Sequence, residues 1–139
     1  MRLGCSRRCL LAVALVLTTA CDGAGNEDSS NETRVSFCRH MHSYGQIDFA
    51  LLSRRRERRA VLEQLRVVAK GLGRDGDRYT SAGETDMGRM AKQLSHSTFR
   101  LQQAFRTRAR KKVIPILDVQ ERTLAALPAD LCSDIEEPG

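Results

Sequence analysis

Residues 86–105 of the 139-residue chain read DMGRMAKQLSHSTFRLQQAF. Apolar side chains recur every three or four positions along this segment, from Met87 through Leu94 to Phe105. Because an α-helix has about 3.6 residues per turn, this spacing keeps the side chains on one helical face for about five turns. We predict a helix that begins after a cap at Thr85 and has a basic C-terminal end, which suits the helix dipole.

The residues before this segment predict a second helix and a loop. An apolar repeat at positions 61, 65, 68 and 72 indicates a helix over residues 49–70, with Asp48 as its cap and the glycines from Gly71 onward ending it. Residues 53–59 contain no apolar side chain, so this part must project into solvent or break the helix. Residues 72–85 are rich in Gly, Asp, Ser and Thr, and they predict the main loop.

Two further helices complete the predicted fold. A short first helix covers residues 34–44 and ends at Gly45. Pro115 suits the first position of a fourth helix, which continues to about Leu127 and stops at Pro128. We therefore predict an all-α domain, a small bundle of about four helices of which the first is short.

The first 21 residues have the pattern of an export signal. Three arginines at positions 2, 7 and 8 precede an uncharged apolar run over residues 10–16, and small residues then lead to Cys21. The run is far shorter than the roughly 20 residues that span a bilayer. The segment resembles the signal peptides of bacterial lipoproteins, although Thr18 stands three residues before the cysteine, where such signals usually carry leucine. The pair Arg7-Arg8 also fits a twin-arginine export signal.

This resemblance implies a lipid anchor. Residues 1–20 would be removed as a signal peptide, and Cys21 would become an acylated N-terminus that carries diacylglycerol and palmitate. The protein would then sit on the extracytoplasmic face of the cell membrane. The alternative is an ordinary secretory signal, cleaved at a small-residue site, which leaves Cys21 as a free or disulfide-bonded thiol.

The remaining chain divides into a tether, a domain and a tail. Residues 21–32 are small, polar and acidic and predict a flexible tether, residues 33–132 form the helical domain, and residues 133–139 predict a disordered acidic tail. With Cys5 and Cys9 removed and Cys21 lipidated, two cysteines are left in an oxidising compartment. We predict a structural disulfide between Cys38 and Cys132.

Charge is unevenly distributed along the mature chain. Residues 33–129 carry a net charge of +11, between acidic ends of −4 each. Nine cations in two clusters are candidates for binding an anionic surface: Arg54, Arg55, Arg56, Arg58, Arg59, Arg108, Arg110, Lys111 and Lys112. An exported protein with no aromatic residue inside these clusters does not favour nucleic acid. Anionic lipid headgroups, wall polymers or an acidic envelope protein fit better, and a merely solvated surface is the alternative.

Site motifs are otherwise sparse. His40 and Tyr44 share a helix face and, with His96 from another helix, could ligate haem or a transition metal, although nothing completes a ligand set. The chain contains no nucleophile, metalloprotease or phosphate-loop motif, so the sequence does not indicate an enzyme. We expect a binding or accessory lipoprotein of the cell envelope, without a cofactor. A small haem- or metal-binding carrier is the alternative.

Overall fold

The structure, a computed structural model, describes residues 27–135. Within this range the chain forms helices and turns and contains no strand. The four α-helices run alternately up and down as a bundle: α1 (residues 27–45), α2 (Arg58–Ser81), α3 (Thr85–Arg106) and α4 (Val113–Ala125). Two short 3-10 segments, Phe49–Ser53 and Arg110–Lys112, precede α2 and α4. The prediction of an all-α bundle of about four helices is confirmed.

The core lies along the predicted apolar faces. Leu65 and Leu72 of α2 and Leu101 of α3 are fully buried, as are Phe37 of α1 and Tyr79 of α2. The rings of Phe37 and Tyr79 meet edge to face with centroids 6.0 Å apart, which is a favourable aromatic geometry. These contacts hold α1 against α2 through apolar burial, the dominant favourable contribution to folding.

The predicted disulfide is present. Cys38 of α1 and Cys132 of the turn after α4 are bonded, with their Cα atoms 5.7 Å apart. Beside it, Arg34 forms a 2.6 Å ion pair with Asp134, and this hydrogen bond holds the pKa of the Asp134 carboxyl below its usual range. The first helix and the end of the described chain are therefore joined covalently and by charge.

The predicted loop over residues 72–85 is wrong, because α2 continues to Ser81. Glycines in this stretch serve as contact points between helices rather than as breaks. A Cβ on Gly71 would lie 2.2 Å from the ring of His40, and a Cβ on Gly76 would lie 3.0 Å from the backbone oxygen of Gly88 in α3. The absent side chains let neighbouring helices approach closely, and packing outweighs the poor helix propensity of glycine.

The start of the predicted second helix also differs. Asp48 does accept a 2.9 Å hydrogen bond from the backbone of Ala50, but the segment it caps is the 3-10 helix Phe49–Ser53. The chain then turns through Arg54–Glu57 before α2 begins, so the apolar-free stretch breaks the helix, one of the two outcomes expected for it.

The ends of the other elements shift as well. The first helix is not short, since residues 27–32, assigned from the sequence to the tether, are helical. Residues 133–135, assigned to the tail, form a turn in which Asp134 pairs with Arg34. The fourth helix begins at Val113, so Pro115 is its third residue, where a missing N–H still breaks no helical hydrogen bond. The predicted signal peptide, residues 21–26 of the predicted tether, including Cys21, and residues 136–139 of the predicted tail lie outside the described residues.

Candidate functional site

The two basic clusters, about 50 residues apart in sequence, meet at one end of the bundle, hereafter the basic end. Arg58, at the start of α2, donates hydrogen bonds to the backbone oxygen of Phe105 near the end of α3 and, at 3.2 Å, to that of Leu52. The ring of Phe49 lies 5.8 Å from that of Phe105. These contacts pin the α3–α4 connection, which carries the second cluster, next to the segment that carries the first.

A groove with a volume of about 500 Å³ lies between the clusters. Its lining combines apolar side chains with arginines and includes no carboxylate. A site of this composition attracts anions, since arginine hydrogen-bonds phosphate and carboxylate groups through a planar fork and keeps its charge at all physiological pH values. The apolar part is formed by Phe49, Leu52, Phe105 and Val113, and the cationic part by Arg58, Arg108 and Arg110.

Arg108 enters the groove from a strained backbone. Its φ is +56°, in the left-handed region that side chains other than glycine rarely adopt. The backbone N–H of Arg108 donates to the oxygen of Phe105 at 3.2 Å, and that of Ala109 donates to the oxygen of Ala104 at 2.8 Å. This pair of bonds is the Schellman motif that ends many helices, whose left-handed residue is usually glycine. An arginine therefore stands where the local structure favours no side chain.

The nine predicted cations play two different roles. Arg58 is half-buried and uses its guanidinium on backbone oxygens, so it organises the site. The other eight side chains are exposed, and none of them forms an ion pair within residues 27–135. The sequence prediction missed the groove between them, because Phe49 was assigned only as the start of a helix and Val113 was assigned to no element.

A second polar cluster lies between α1 and α2. Asp75 is almost fully buried, yet its two carboxylate oxygens are both used. One accepts a 2.7 Å hydrogen bond from the hydroxyl of Ser36, and the other lies 2.6 Å from Nδ1 of His40. The imidazole ring of His40 covers Gly71. Because buried polar groups need hydrogen-bond partners, the two bonds from α1 to the Asp75 carboxylate fix the position of α1 along α2.

The proposed haem or metal ligands have separate partners. His40 is held by Asp75, whereas the hydroxyl of Tyr44 donates a 2.8 Å hydrogen bond to Gln120 of α4. Burial raises the pKa of Tyr44 although the bond to Gln120 opposes this effect. His96 is exposed on α3. Over the described part of the chain, no group of three or more His, Cys, Asp or Glu side chains is placed to hold a metal ion.

Comparison of the chain with models of protein families, with curated proteins and with solved structures finds no match in any of the three. Among residues 27–135, no helix combines the length and apolar character needed to cross a membrane.

Proposed function

We propose that this protein is a lipid-anchored binding protein of the bacterial envelope, whose basic end binds a phosphate-rich anionic partner. The observation that carries the proposal is the meeting of two sequence-distant basic clusters around one groove without carboxylates. Residues 54–59 and 106–112 together contribute a net charge of +9. So many like charges at one end repel each other, and an anionic ligand relieves this repulsion.

The strain at Arg108 supports the same proposal. A left-handed backbone at a residue other than glycine costs on the order of 1–2 kcal/mol, and strained residues of this kind cluster at active sites, ligand clamps and switch regions. Here the residue held in that conformation lies against the groove. A surface that served only solubility has no need of a cation at this position.

The lipid anchor rests on the resemblance of residues 2–21 and is tested separately. The full-length gene product, expressed in a bacterium that processes lipoproteins, should incorporate radiolabelled palmitate and remain in the membrane fraction. Cys21→Ser should abolish both, whereas Cys9→Ser, a control within the same signal, should abolish neither. An unlabelled protein, or a Cys21→Ser variant that still sits in the membrane, contradicts the anchor.

Binding is tested with long-chain polyphosphate as the probe. The double reversal Arg55→Glu and Arg56→Glu should weaken binding by roughly tenfold or more, since each cation near an anionic surface contributes about 1 kcal/mol. The matched control reverses Lys70 and Arg74, which are also exposed but lie farther along α2, away from the groove. Equal losses in both double variants would show general charge attraction and would contradict a specific basic end.

A further inference from the structure

We infer that the partner of the basic end is an anionic, phosphate-bearing polymer of the envelope that stands away from the anchoring bilayer, rather than the headgroups of that bilayer. This inference rests on the proposed function, because it requires both the anchor at Cys21 and an anion-binding basic end. It adds the class of partner and the direction in which the bundle presents its groove.

The fold places the start of α1 and the groove at opposite ends. Ser30 in α1 donates a hydrogen bond to Glu84 in the turn between α2 and α3, so α1 begins beside that turn. The basic end lies where α2 begins and α3 ends, as the bond from Arg58 to Phe105 shows. The described chain therefore begins, at Glu27, at the end of the bundle away from the groove.

The lengths involved prevent an end-on contact between the groove and the anchoring bilayer. Helix α2 has 24 residues and is therefore about 35 Å long. The six residues from Cys21 to Glu27 extend at most about 20 Å. With the groove pressed end-on against headgroups, the first residue of α1 would stand about 35 Å above them, beyond the reach of this tether.

Charge is divided between the ends in the same way. The end where the described chain begins carries seven acidic side chains against the three cations Arg34, Arg78 and Arg89, of which Arg34 and Arg89 are ion-paired with two of the acids. The acids lie in the first turns of α1 and α3, in the α2–α3 turn and in the turn after α4: Glu27, Asp28, Glu32, Glu84, Asp86, Asp130 and Asp134. At physiological ionic strength electrostatic attraction decays over about 8 Å, so headgroups beside the acidic end do not act on the basic end. A polyanion that reaches the basic end meets arginine and lysine without competition from the bilayer.

The experiment uses the full lipidated chain, reconstituted in vesicles of phosphatidylcholine alone or mixed with phosphatidylglycerol. The affinity for long-chain polyphosphate should agree within about twofold between the two vesicle types, because the tether is too short for the groove to press end-on against the lipid. A severalfold loss on the anionic vesicles would show that headgroups occupy the groove and would overturn the inference. Absence of polyphosphate binding on both vesicle types would instead contradict the proposed function.

A second measurement tests the bilayer directly as the alternative partner. Ile114 is 69% exposed beside Lys111 and Lys112, where a bilayer-binding surface would insert an apolar side chain. The chain contains no tryptophan, so Ile114→Trp adds a single tryptophan whose fluorescence reports on this position. Brominated anionic lipids should quench it no more than they quench Val67→Trp, a control at another exposed apolar position on α2. Selective quenching at position 114 would assign the basic end to the bilayer and overturn the inference.

Discussion

Arg108 and Gly83 occupy the same position in two copies of one motif. After α2, the backbone N–H of Glu84 donates to the oxygen of Tyr79 at 2.9 Å, and Gly83 supplies the left-handed residue with φ +86°. After α3, the same bond pattern has Arg108 at the left-handed position. Glycine adopts this conformation without the steric penalty that a side chain meets. Gly83 is therefore an internal reference for the conformational free energy that Arg108 costs at the same position of the motif.

Replacement of Arg108 by glycine should therefore make the fold more stable. We expect Arg108→Gly to raise the free energy of unfolding by about 0.5–1 kcal/mol and Gly83→Ala to lower it by a similar amount, both measured by urea denaturation. The same Arg108→Gly variant should bind polyphosphate less tightly, since it removes a cation from the groove. An unchanged urea midpoint for Arg108→Gly would show that the backbone is not strained there.

Tyr79 is a second residue with an unfavourable local contribution to stability, since its hydroxyl oxygen has no hydrogen-bond partner among residues 27–135. Its hydroxyl is buried, and within the described chain it forms no hydrogen bond. An unsatisfied buried hydroxyl costs about 1–3 kcal/mol, so Tyr79→Phe should leave the free energy of unfolding unchanged or raise it. Tyr44→Phe is the matched control, and it should be destabilising by about 1 kcal/mol because its hydroxyl bonds to Gln120. Equal effects of the two variants on the urea midpoint would contradict this assignment.

The same residue makes stability depend on alkaline pH. Burial, assisted by the nearby charges of Glu84 and Asp75, raises the pKa of Tyr79 to about 12. The unfolded chain releases this proton near pH 10, whereas the folded chain keeps it, so the free energy of unfolding should fall as pH rises from about 10 to about 12. Tyr79→Phe should show a shallower loss in urea titrations over this interval.

At the scale of elements, local propensity and packing disagreed in the region of residues 71–85. The apolar repeats of α2 and α3 correctly predicted both helices and their buried faces. The glycines and small polar residues that followed predicted a loop, because a single sequence does not show which glycine faces another helix. Gly76 and Gly88 each leave room for the backbone of the opposite helix, and only the folded pair reveals this.

Even a methyl group added where α2 and α3 cross should therefore destabilise the fold. A Cβ on Gly88 would lie 3.0 Å from the backbone oxygen of Gly76 and 3.1 Å from the backbone nitrogen of Thr80. We expect Gly88→Ala to lower the free energy of unfolding by about 1–3 kcal/mol, even though alanine favours helix. Gly45→Ala, at a helical glycine with open space around it, should be neutral or stabilising. A stable Gly88→Ala variant in thermal melts would show that the helices separate at little cost.

At the scale of the whole molecule, the charged residues of the site could be predicted but not their arrangement. Runs of arginine and lysine are visible in the sequence, and eight of the nine candidates are exposed at the basic end. The role of Arg58 as a backbone donor, and the left-handed conformation of Arg108, depend on contacts between segments far apart in the chain. Such contacts follow from the up-and-down topology, which composition and spacing do not specify.

The Cys38–Cys132 disulfide does not line the groove, so its loss should reduce stability without changing binding. It links positions 94 residues apart, and closing a loop of that length stabilises the fold by about 4–5 kcal/mol in the chain-entropy model. The double variant Cys38→Ala and Cys132→Ala should show this loss, less any strain in the native bond, in urea denaturation. The oxidised wild-type protein is the reference, and the reduced wild-type protein should behave like the variant.

Polyphosphate binding supplies the second half of this test. At temperatures where the disulfide-free variant remains folded, its affinity should match that of the oxidised protein within about twofold, because α2 and α3 hold the groove together through Arg58 and the ring of Phe105. A stability loss below about 1 kcal/mol would mean that the ion pair of Arg34 and packing alone hold α1 in place. A joint loss of stability and affinity would show that the two ends of the bundle are coupled.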